Sequence, residues 1–493
     1  MMLLKINPAD NVAVVLTTLD SGETLSVDGT TLTLVEPIDA GHKVALVPIA
    51  DGEAIVKYGN PIGRAVRAIA PGEAVHTHNL KTALEGLLAY TYTPQRTPLA
   101  LREPGVFQGY RRPDGRVGIR NEVWIVPTVG CVNATAAYLE RHAQEFFTDE
   151  IDGLYAFPHP YGCSQLSEDH ENTRRALAGL ISHPNAGAVL VLGLGCENNT
   201  VEGMQELLGD YDRERVRFLV CQDVADEYET GLAILRELVA YAGQFKRASA
   251  PMSELIVGLK CGGSDGFSGI TANPLVGAFT DRLIAEGGSA ILTEVPEMFG
   301  AETILMNRCR TPGLFDQTVT LINDFKTYFM DNGQDIYENP SPGNKAGGIS
   351  TLEDKSLGCI QKGGTSDVVA VLNYGDPVTE KGLNLLTGPG NDLVSVSSMT
   401  ASGAHMILFT TGLGTPFGAP APTVKISSNT DLARRKSAWV DFDAGSLLAG
   451  VPMETMADRL YEYVCALASG EIRAKNEMHG AREFTIFKTG VTL

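Results

Sequence analysis

The sequence predicts an α/β protein: a small all-β domain in front, followed by two Rossmann-like subdomains whose sheets are mainly parallel. Three observations predict it. The first ~90 residues repeat a turn-strand frame, in "LDSGETL", "IDAGHKVAL", "IADGEAIVKYG" and "IAPGEAVHTHN". From Val123 apolar strand runs alternate with helical periodicity, as βαβ units require. A second alternating series begins after "KRASAPMSE" (246–254).

Each element has its reason. In the repeats an apolar residue, two turn formers and glycine precede an alternating strand. "TYTPQRTPLALREPGV" (91–106) carries three prolines and reads as a linker. "VWIVPTV", "LYAF", "AGAVLVLGLG" and "RVRFLVC" read as strands, and "NATAAYLERHAQEF", "EDHENTRRALAGLI", "VEGMQELLG" and "EYETGLAILRELVAYAGQF" as helices. In the second series "LIVGL", "SAILTEV", "DVVAVLNYG" and "AHMILFTTG" are strands, and "NPLVGAFTDRLIAEGG" is a helix. "YENPSPGNKAGGISTLEDKSLG" reads as a long ordered binding loop. The expected domains are 1–92 (all-β), 93–121 (linker), 122–248 and 249–493 (the two α/β subdomains).

Composition narrows the function. The chain of 493 residues is 44% hydrophobic and 20% charged, with a formal net charge of −20. That sign argues against nucleic acid, and no apolar run reaches the ~20 residues of a membrane span. The N-terminus "MMLLKINPADN" shows no small-residue cleavage site, so a cytoplasmic location is expected. A small-molecule substrate is expected as partner, with a homo-oligomer compatible. An anionic substrate needs a local cation in so acidic a chain. Eight cysteines in a long cytosolic chain point to thiol or metal chemistry rather than a disulfide framework.

Four of those cysteines follow glycine (Cys131, Cys163, Cys196 and Cys359), where 53 glycines would by chance put about one. They sit where strands end, which is where open α/β sheets bind ligands. Cys131, Cys163 and Cys196 are expected to converge at the lip of the middle sheet, with Cys261 and Cys359 offered by the last subdomain. Cys221, Cys309 and Cys465 lack the setting and read as core. "HTHNL" places His76 and His78 two apart at a strand end, which aims both imidazoles at one face and suits a divalent metal or an acid/base pair. His42 and Lys43 occupy the matching point of another repeat. The expected catalytic groups are His42, Lys43, His76, His78, His170 and Glu197. The expected metal ligands are His76, His78, Cys131, Cys163 and Cys196. Arg120, Asn121, Asn198, Asn199, Asp265, Asn273, Asn344 and Lys345 are the donors and acceptors expected to grip substrate. Glu294, Glu297 and Glu302 are further strand-end carboxylates. No GxGxxG, Walker or GxSxG turn is placed to act. This inventory suits metal-assisted removal of an α-proton from a hydroxy acid and loss of the β-hydroxyl as water.

Long blocks of the chain, "GYRRPDGRVGIRNEVWIVPTVGCVN", "YGCSQL", "HPNAGAVLVLGLGCENN", "CGGSDGFSGITANP", "TEVPEMFGAE", "ENPSPGNKAGGISTLEDKSLGC", "GTPFG" and "FKTGVTL", resemble the altronate dehydratase and galactarate dehydratase family of sugar-acid dehydratases. The front block resembles the SAF domain, a β-clip module. The resemblance covers essentially the whole chain. It implies a hydro-lyase of hexuronate catabolism. Within the family, chain length and two of the blocks lie nearest the members acting on D-altronate, with 2-dehydro-3-deoxy-D-gluconate as product; galactarate or a related hydroxy acid in a sulfo-lyase reaction is the alternative. It also implies Fe²⁺ or Mn²⁺ as cofactor. A labile iron–sulfur cluster on the three turn cysteines is the alternative that thiol chemistry allows.

Overall fold

A computed structural model describes residues 2–27, 29–147 and 149–493. The front block is all-β, made of short antiparallel strands. Val12–Val15, Lys43–Ala45 and Ala74–Val75 share one sheet, and Ala54–Lys57 and Asn60–Ala65 another. The repeat seen in sequence is a repeat of backbone: the turn glycines Gly22, Gly41, Gly52 and Gly72 take φ of +84°, +85°, +76° and +85°, where a side chain would be strained.

The middle domain is a four-stranded parallel sheet in the order β2-β1-β3-β4, with β1 Glu122–Pro127, β2 Gly153–Ala156, β3 Ala186–Gly193 and β4 Val216–Val220. Strand alternation feeds both faces. Val123 and Ile125 pack with Leu139 of α1 (Asn133–Ala143) and Leu235 and Leu238 of α4 (Glu227–Ala242). Trp124 and Val126 pack with Leu177 and Leu180 of α2 (Ser167–Ser182). All eight residues of β3 are buried, as expected for a strand covered on both sides. The run after Thr200 is the helix α3 (Val201–Leu208), capped by the Thr200 side chain.

The last domain holds a seven-stranded, wholly parallel sheet in the order β7-β8-β6-β5-β9-β10-β11. Its strands are β5 Ile256–Cys261, β6 Ser289–Leu292, β7 Val368–Leu372, β8 Leu383–Leu386, β9 Met406–Thr411, β10 Thr423–Ser427 and β11 Phe442–Asp443. One face carries α5 (Ala272–Ala285) and the long amphipathic helices α6 (Pro312–Asp331) and α10 (Met453–Ala468). The other face carries α9 (Asp392–Ala401), whose Val396 and Met399 cover Ile407 and Phe409. α9 also touches α2 of the middle domain so closely that a Cβ on Gly179 would lie 2.2 Å from the Ala401 carbonyl oxygen.

Two expectations are corrected here. The linker is not all irregular: Val106–Arg111 pairs antiparallel with Arg247–Pro251 and with Val117–Gly118, so the stretches on either side of the middle domain form one small sheet. The polar segment 337–358 is not one loop. A Ser341 capping box starts the short helix α7 (Pro342–Ala346), and Thr351 caps α8 (Leu352–Cys359). Its glycines and prolines punctuate helices rather than prevent them.

Candidate active site

The carboxyl ends of β5 and β6 face an open cleft of about 390 Å³, lined by Cys261, Glu297, Asn339, Asn344, Lys355 and Asp392 among others. Pockets of this size hold small molecules. Beneath its floor lies a dense ionic cluster. Cys261 ends β5, with Sγ 3.3 Å from Cys359 Sγ and 3.1 Å from Glu297 Oε2; Cys359 Sγ is 3.3 Å from that same oxygen. Lys355 Nζ donates to Glu297 Oε1 (2.9 Å), Asn339 Oδ1 (3.0 Å) and Asn344 Oδ1 (3.3 Å). Lys260 pairs with Glu294 and, at 3.0 Å, with Asp392, while Lys362 donates to the other Glu294 oxygen at 3.0 Å. Glu294, which has no glycine's freedom, sits at φ +65°. Such a conformation persists only where the surroundings hold it, and functional sites are where it clusters.

Local sequence explains the assembly. Lys260 and Cys261 are the last residues of a buried strand, so both reach the sheet lip. Lys355 and Cys359 are four apart on α8 and share one helix face. Asp354, one position round, faces the front domain and accepts from Lys43 and Lys57, both at 2.9 Å. Thr351 and Glu353 complete the dock, bonding the Ile62 carbonyl (2.6 Å) and the Thr82 hydroxyl (2.9 Å). The backbones meet directly too: a Cβ on Gly266 would lie 2.0 Å from the Gly41 carbonyl oxygen. The front module thus holds the helix that carries two site residues.

Three buried ammonium groups (Lys260, Lys355, Lys362) face three carboxylates (Glu294, Glu297, Asp392), so the cluster is neutral while both thiols keep their protons. Burial alone would raise the Glu297 carboxyl; Lys355, Lys260 and Lys362 outweigh it and hold the group well below the usual carboxylate range. The Cys261 hydrogen bond and then burial push the Cys359 thiol far up. Burial lowers the Lys43 ammonium to about 8 against the pull of Asp354.

The structure distributes the residues expected from sequence. Asn344 lines the cleft. Asp265 and Asn273 line a narrow crevice of about 10 Å³, with Lys57, Asp354, Lys355 and Cys359. Lys345 is half-buried on α7 and lines neither of these two. His42 and His76 stand edge to face (centroids 5.0 Å apart) against the 346–350 segment, His42 at the Ala346 carbonyl and His76 Nδ1 3.0 Å from Ser350 Oγ. Burial, then the charges of Lys43 and His42, lower the His76 imidazole to about 4. The paired-imidazole expectation is corrected. The strand ends at Val75, residues 76–79 turn, and His78 is exposed beside Glu36 and Glu73. Strand period does not extend into a turn, so the two rings part. Lys43 spends its ammonium on Asp354 and the Gly348 carbonyl (2.7 Å).

Arg120 and Asn121 precede β1 and so lie at the end of the sheet opposite its lip. Arg120 is buried in a forked pair with Glu477 (2.7 and 2.9 Å), and Asn121 bonds the Glu150 and Ala242 carbonyls. Neither faces a cleft.

Cys131, Cys163 and Cys196 are exposed at the middle-sheet lip, where Asn198 and Asn199 tie their loops together. Glu197 is consumed there by the Thr128 hydroxyl (2.7 Å) and the Leu194 and Gly195 amides. These contacts outweigh burial and keep its carboxyl low. His170 is half-buried on α2, with no hydrogen-bond partner for Nε2 among the described residues. Among the described residues, donor triplets within 4.8 Å comprise Cys261–Glu297–Cys359 and Glu36–Glu73–His78, so the expected single-ion set of His76, His78 and the three exposed thiols is not assembled. Sequence reasoning missed Lys260, Lys355 and Lys362. The available signal was a lysine closing an otherwise apolar strand in "LIVGLKC" and the K-x-x-x-C step of "DKSLGC".

Comparison with known proteins covers the whole chain. Residues 252–492 match the family model of the D-galactarate/altronate dehydratase C-terminal domain. Residues 109–243 match the D-galactarate dehydratase/altronate hydrolase second domain, and 1–83 the altronate/galactarate dehydratase SAF domain. An altronate dehydratase of Escherichia coli (strain K12) is 52% identical over 100% of both chains, and one of Bacillus subtilis (strain 168) is 52% identical over 99% of both. A galactarate dehydratase (L-threo-forming) of Escherichia coli (strain K12) is 33% identical over 97% of this chain and 94% of its own.

Proposed function

The chain belongs to the D-galactarate/altronate dehydratase family, and on that premise we propose that it removes water from D-altronate, giving 2-dehydro-3-deoxy-D-gluconate, in the cleft above Cys261, Glu297 and Cys359. The observation that carries the reading is the full-length 52% identity to two altronate dehydratases, against 33% to a galactarate dehydratase.

The donor set fits a divalent ion. Two thiols and a carboxylate converge, and two thiol protons lost on binding offset the two charges gained, so the cluster stays neutral. Sulfur donors favour Fe²⁺ over the oxygen-preferring Mn²⁺. Bound there, such an ion supplies Lewis-acid stabilisation of the enolate formed when the C2 proton leaves.

The chain's own groups do the rest. Lys355, kept protonated by Glu297, gives the cleft the local cation that a sugar-acid carboxylate needs. Asp392, whose side chain is 34% exposed at the first turn of α9, takes the C2 proton on its carboxylate. Lys260, buried behind the cleft and held protonated by Glu294 and Asp392, keeps the Asp392 carboxylate in place. Asn339, Asn344 and Ser341 hold the outer hydroxyls. The reaction belongs to cytoplasmic hexuronate catabolism; no described helix is long and apolar enough to cross a membrane.

The test is turnover of D-altronate against galactarate, reading the 2-keto-3-deoxy product. Faster turnover of altronate is expected. Faster turnover of the dicarboxylate would overturn the assignment.

A further inference from the structure

Three of the eight cysteines are exposed, and all three lie on one sheet lip. Cys131 follows β1, Cys163 follows β2 and Cys196 follows β3, and these strands are neighbours in the order β2-β1-β3. Their loops are laced together. Gly130 N donates to the Tyr161 carbonyl (2.8 Å) and Asn199 N to the Gly162 carbonyl (3.0 Å). Ser164 N donates to Asn198 Oδ1 (2.8 Å). Gly162 lies so close to the Thr128 carbonyl oxygen that a Cβ there would come within 2.0 Å. The Cys163 turn is therefore held against both of the others.

One residue beside these thiols, Ser164, accepts backbone strain. Ser164 takes φ +59°, beside Gly162 at +100°, and Gly195 before Cys196 is at +125°. Free cysteine normally hides. The same sheet shows the ordinary outcome: Cys221, after β4, packs half-buried against the α1/α4 core. Apolar burial cannot account for the other three. Single-ion binding does not account for them either, since among the described residues no donor triplet within 4.8 Å includes them. A ligand larger than one ion, taking soft thiolates from three interlaced loops, fits thiols that share one lip without forming a single-ion set. Side-chain carboxylates do not compete for it, because Glu197 is spent within the loop, and the Gln222 amide reaches Cys196 Sγ at 3.7 Å as a donor to sulfur.

We propose that Cys131, Cys163 and Cys196 bind an iron–sulfur cluster, with one iron lacking a protein thiolate and open to an oxygen donor such as water or a hydroxy acid. This inference does not rest on the altronate reading, because its test measures metal and sulfide rather than turnover.

Full-length protein, purified anaerobically and incubated with equal amounts of ferrous and ferric iron and with sulfide, is expected to hold about four acid-labile sulfides per chain and about four irons beyond any held at Cys261, Glu297 and Cys359. It should develop broad visible sulfur-to-iron absorption. Mild oxidation should give a three-iron paramagnetic signal as the open iron leaves. Cys131→Ser, Cys163→Ser and Cys196→Ser should each lose the sulfide and the absorption while circular dichroism and thermal midpoint stay those of the parent without cluster. Cys221→Ser and Cys465→Ser should keep both. Absence of acid-labile sulfide from the parent protein, or sulfide retained in the three serine variants, would overturn the proposal.

Discussion

The middle and last domains make the same local move, a cysteine where a parallel strand or its following loop ends, and reach opposite results; Cys261 is the strand-end thiol of the last domain, while Cys359, expected at a strand end, closes helix α8 instead. In the middle domain the thiols stand in solvent; in the last domain Cys261 and Cys359 are buried among three lysines and three carboxylates. The difference lies in what covers the lip. Over β5 and β6, helices α7 and α8 fold across the sheet edge, and the front module pins them through Lys43, Lys57 and Asp354. Burial then makes every charge depend on its partner. At the middle lip the loops are closed by backbone and asparagine hydrogen bonds, so charge plays little part there.

The contrast can be broken most severely at Lys355. Lys355→Met strands the buried Glu297 carboxylate. A stability loss of about 3–5 kcal/mol is expected in urea unfolding, with turnover down by about 10³-fold. Adding Glu297→Gln should return much of the stability and none of the turnover, as a coupled pair requires. Asp354→Asn comes next. It leaves two buried ammonium groups facing a neutral amide, with an expected loss of about 3 kcal/mol and new proteolysis within 84–105 as the front module loosens.

Acid should separate the two regions in order. His159 braces the middle lip through the Pro127 carbonyl (2.8 Å), and burial lowers its imidazole to about 4. The unfolded chain takes that proton near 6.5, so stability from this group is whole above about pH 6.5 and falls as pH drops toward 4, by up to about 3 kcal/mol. Asp354 and Glu297 are depressed instead: burial opposes ionisation, but Lys43 with Lys57, and Lys355 with its neighbours, prevail. Their contribution is present above about pH 4 and is lost only as pH falls further. Hydrogen exchange at pH 5 should therefore speed up at 159–165 before 352–359; the reverse order would refute this account. Alkylation gives a gentler test. Native protein without added metal should be modified by iodoacetamide first at Cys131, Cys163 and Cys196, and at Cys261, Cys309 and Cys359 only on unfolding. The smallest effect belongs to His78→Ala, which should shift stability by less than about 0.5 kcal/mol and leave turnover within about twofold, whereas His76→Ala should disturb both through Ser350.

Much of the fold was legible because its signals are local. The glycine frame of the front repeats marks left-handed turns, and "AGAVLVLGLG" can only be a strand buried on both faces. The gathering of Cys131, Cys163 and Cys196 on one lip followed from strand ends alone. The site was legible in part. Glu294, Glu297, Cys261, Cys359 and Asn344 carried visible cues. Lys260 and Lys355 carried only the faint signals of "LIVGLKC" and "DKSLGC", and Lys362 none, since a lone lysine in sequence usually means a solvated surface. Arg120 and Asn121 misled because a polar pair before a strand gives no sign of which end of the sheet binds.

By itself, then, the sequence determined the α/β alternation, the repeated front module and the placing of sulfur at strand ends, because periodicity and turn chemistry act over a few residues. Only the tertiary structure decided which thiols are hidden and which exposed, and which lysines face acids. Those outcomes depend on distant elements, such as those of Lys43 and Asp354, 311 residues apart, meeting in a medium where an unpaired charge cannot stay.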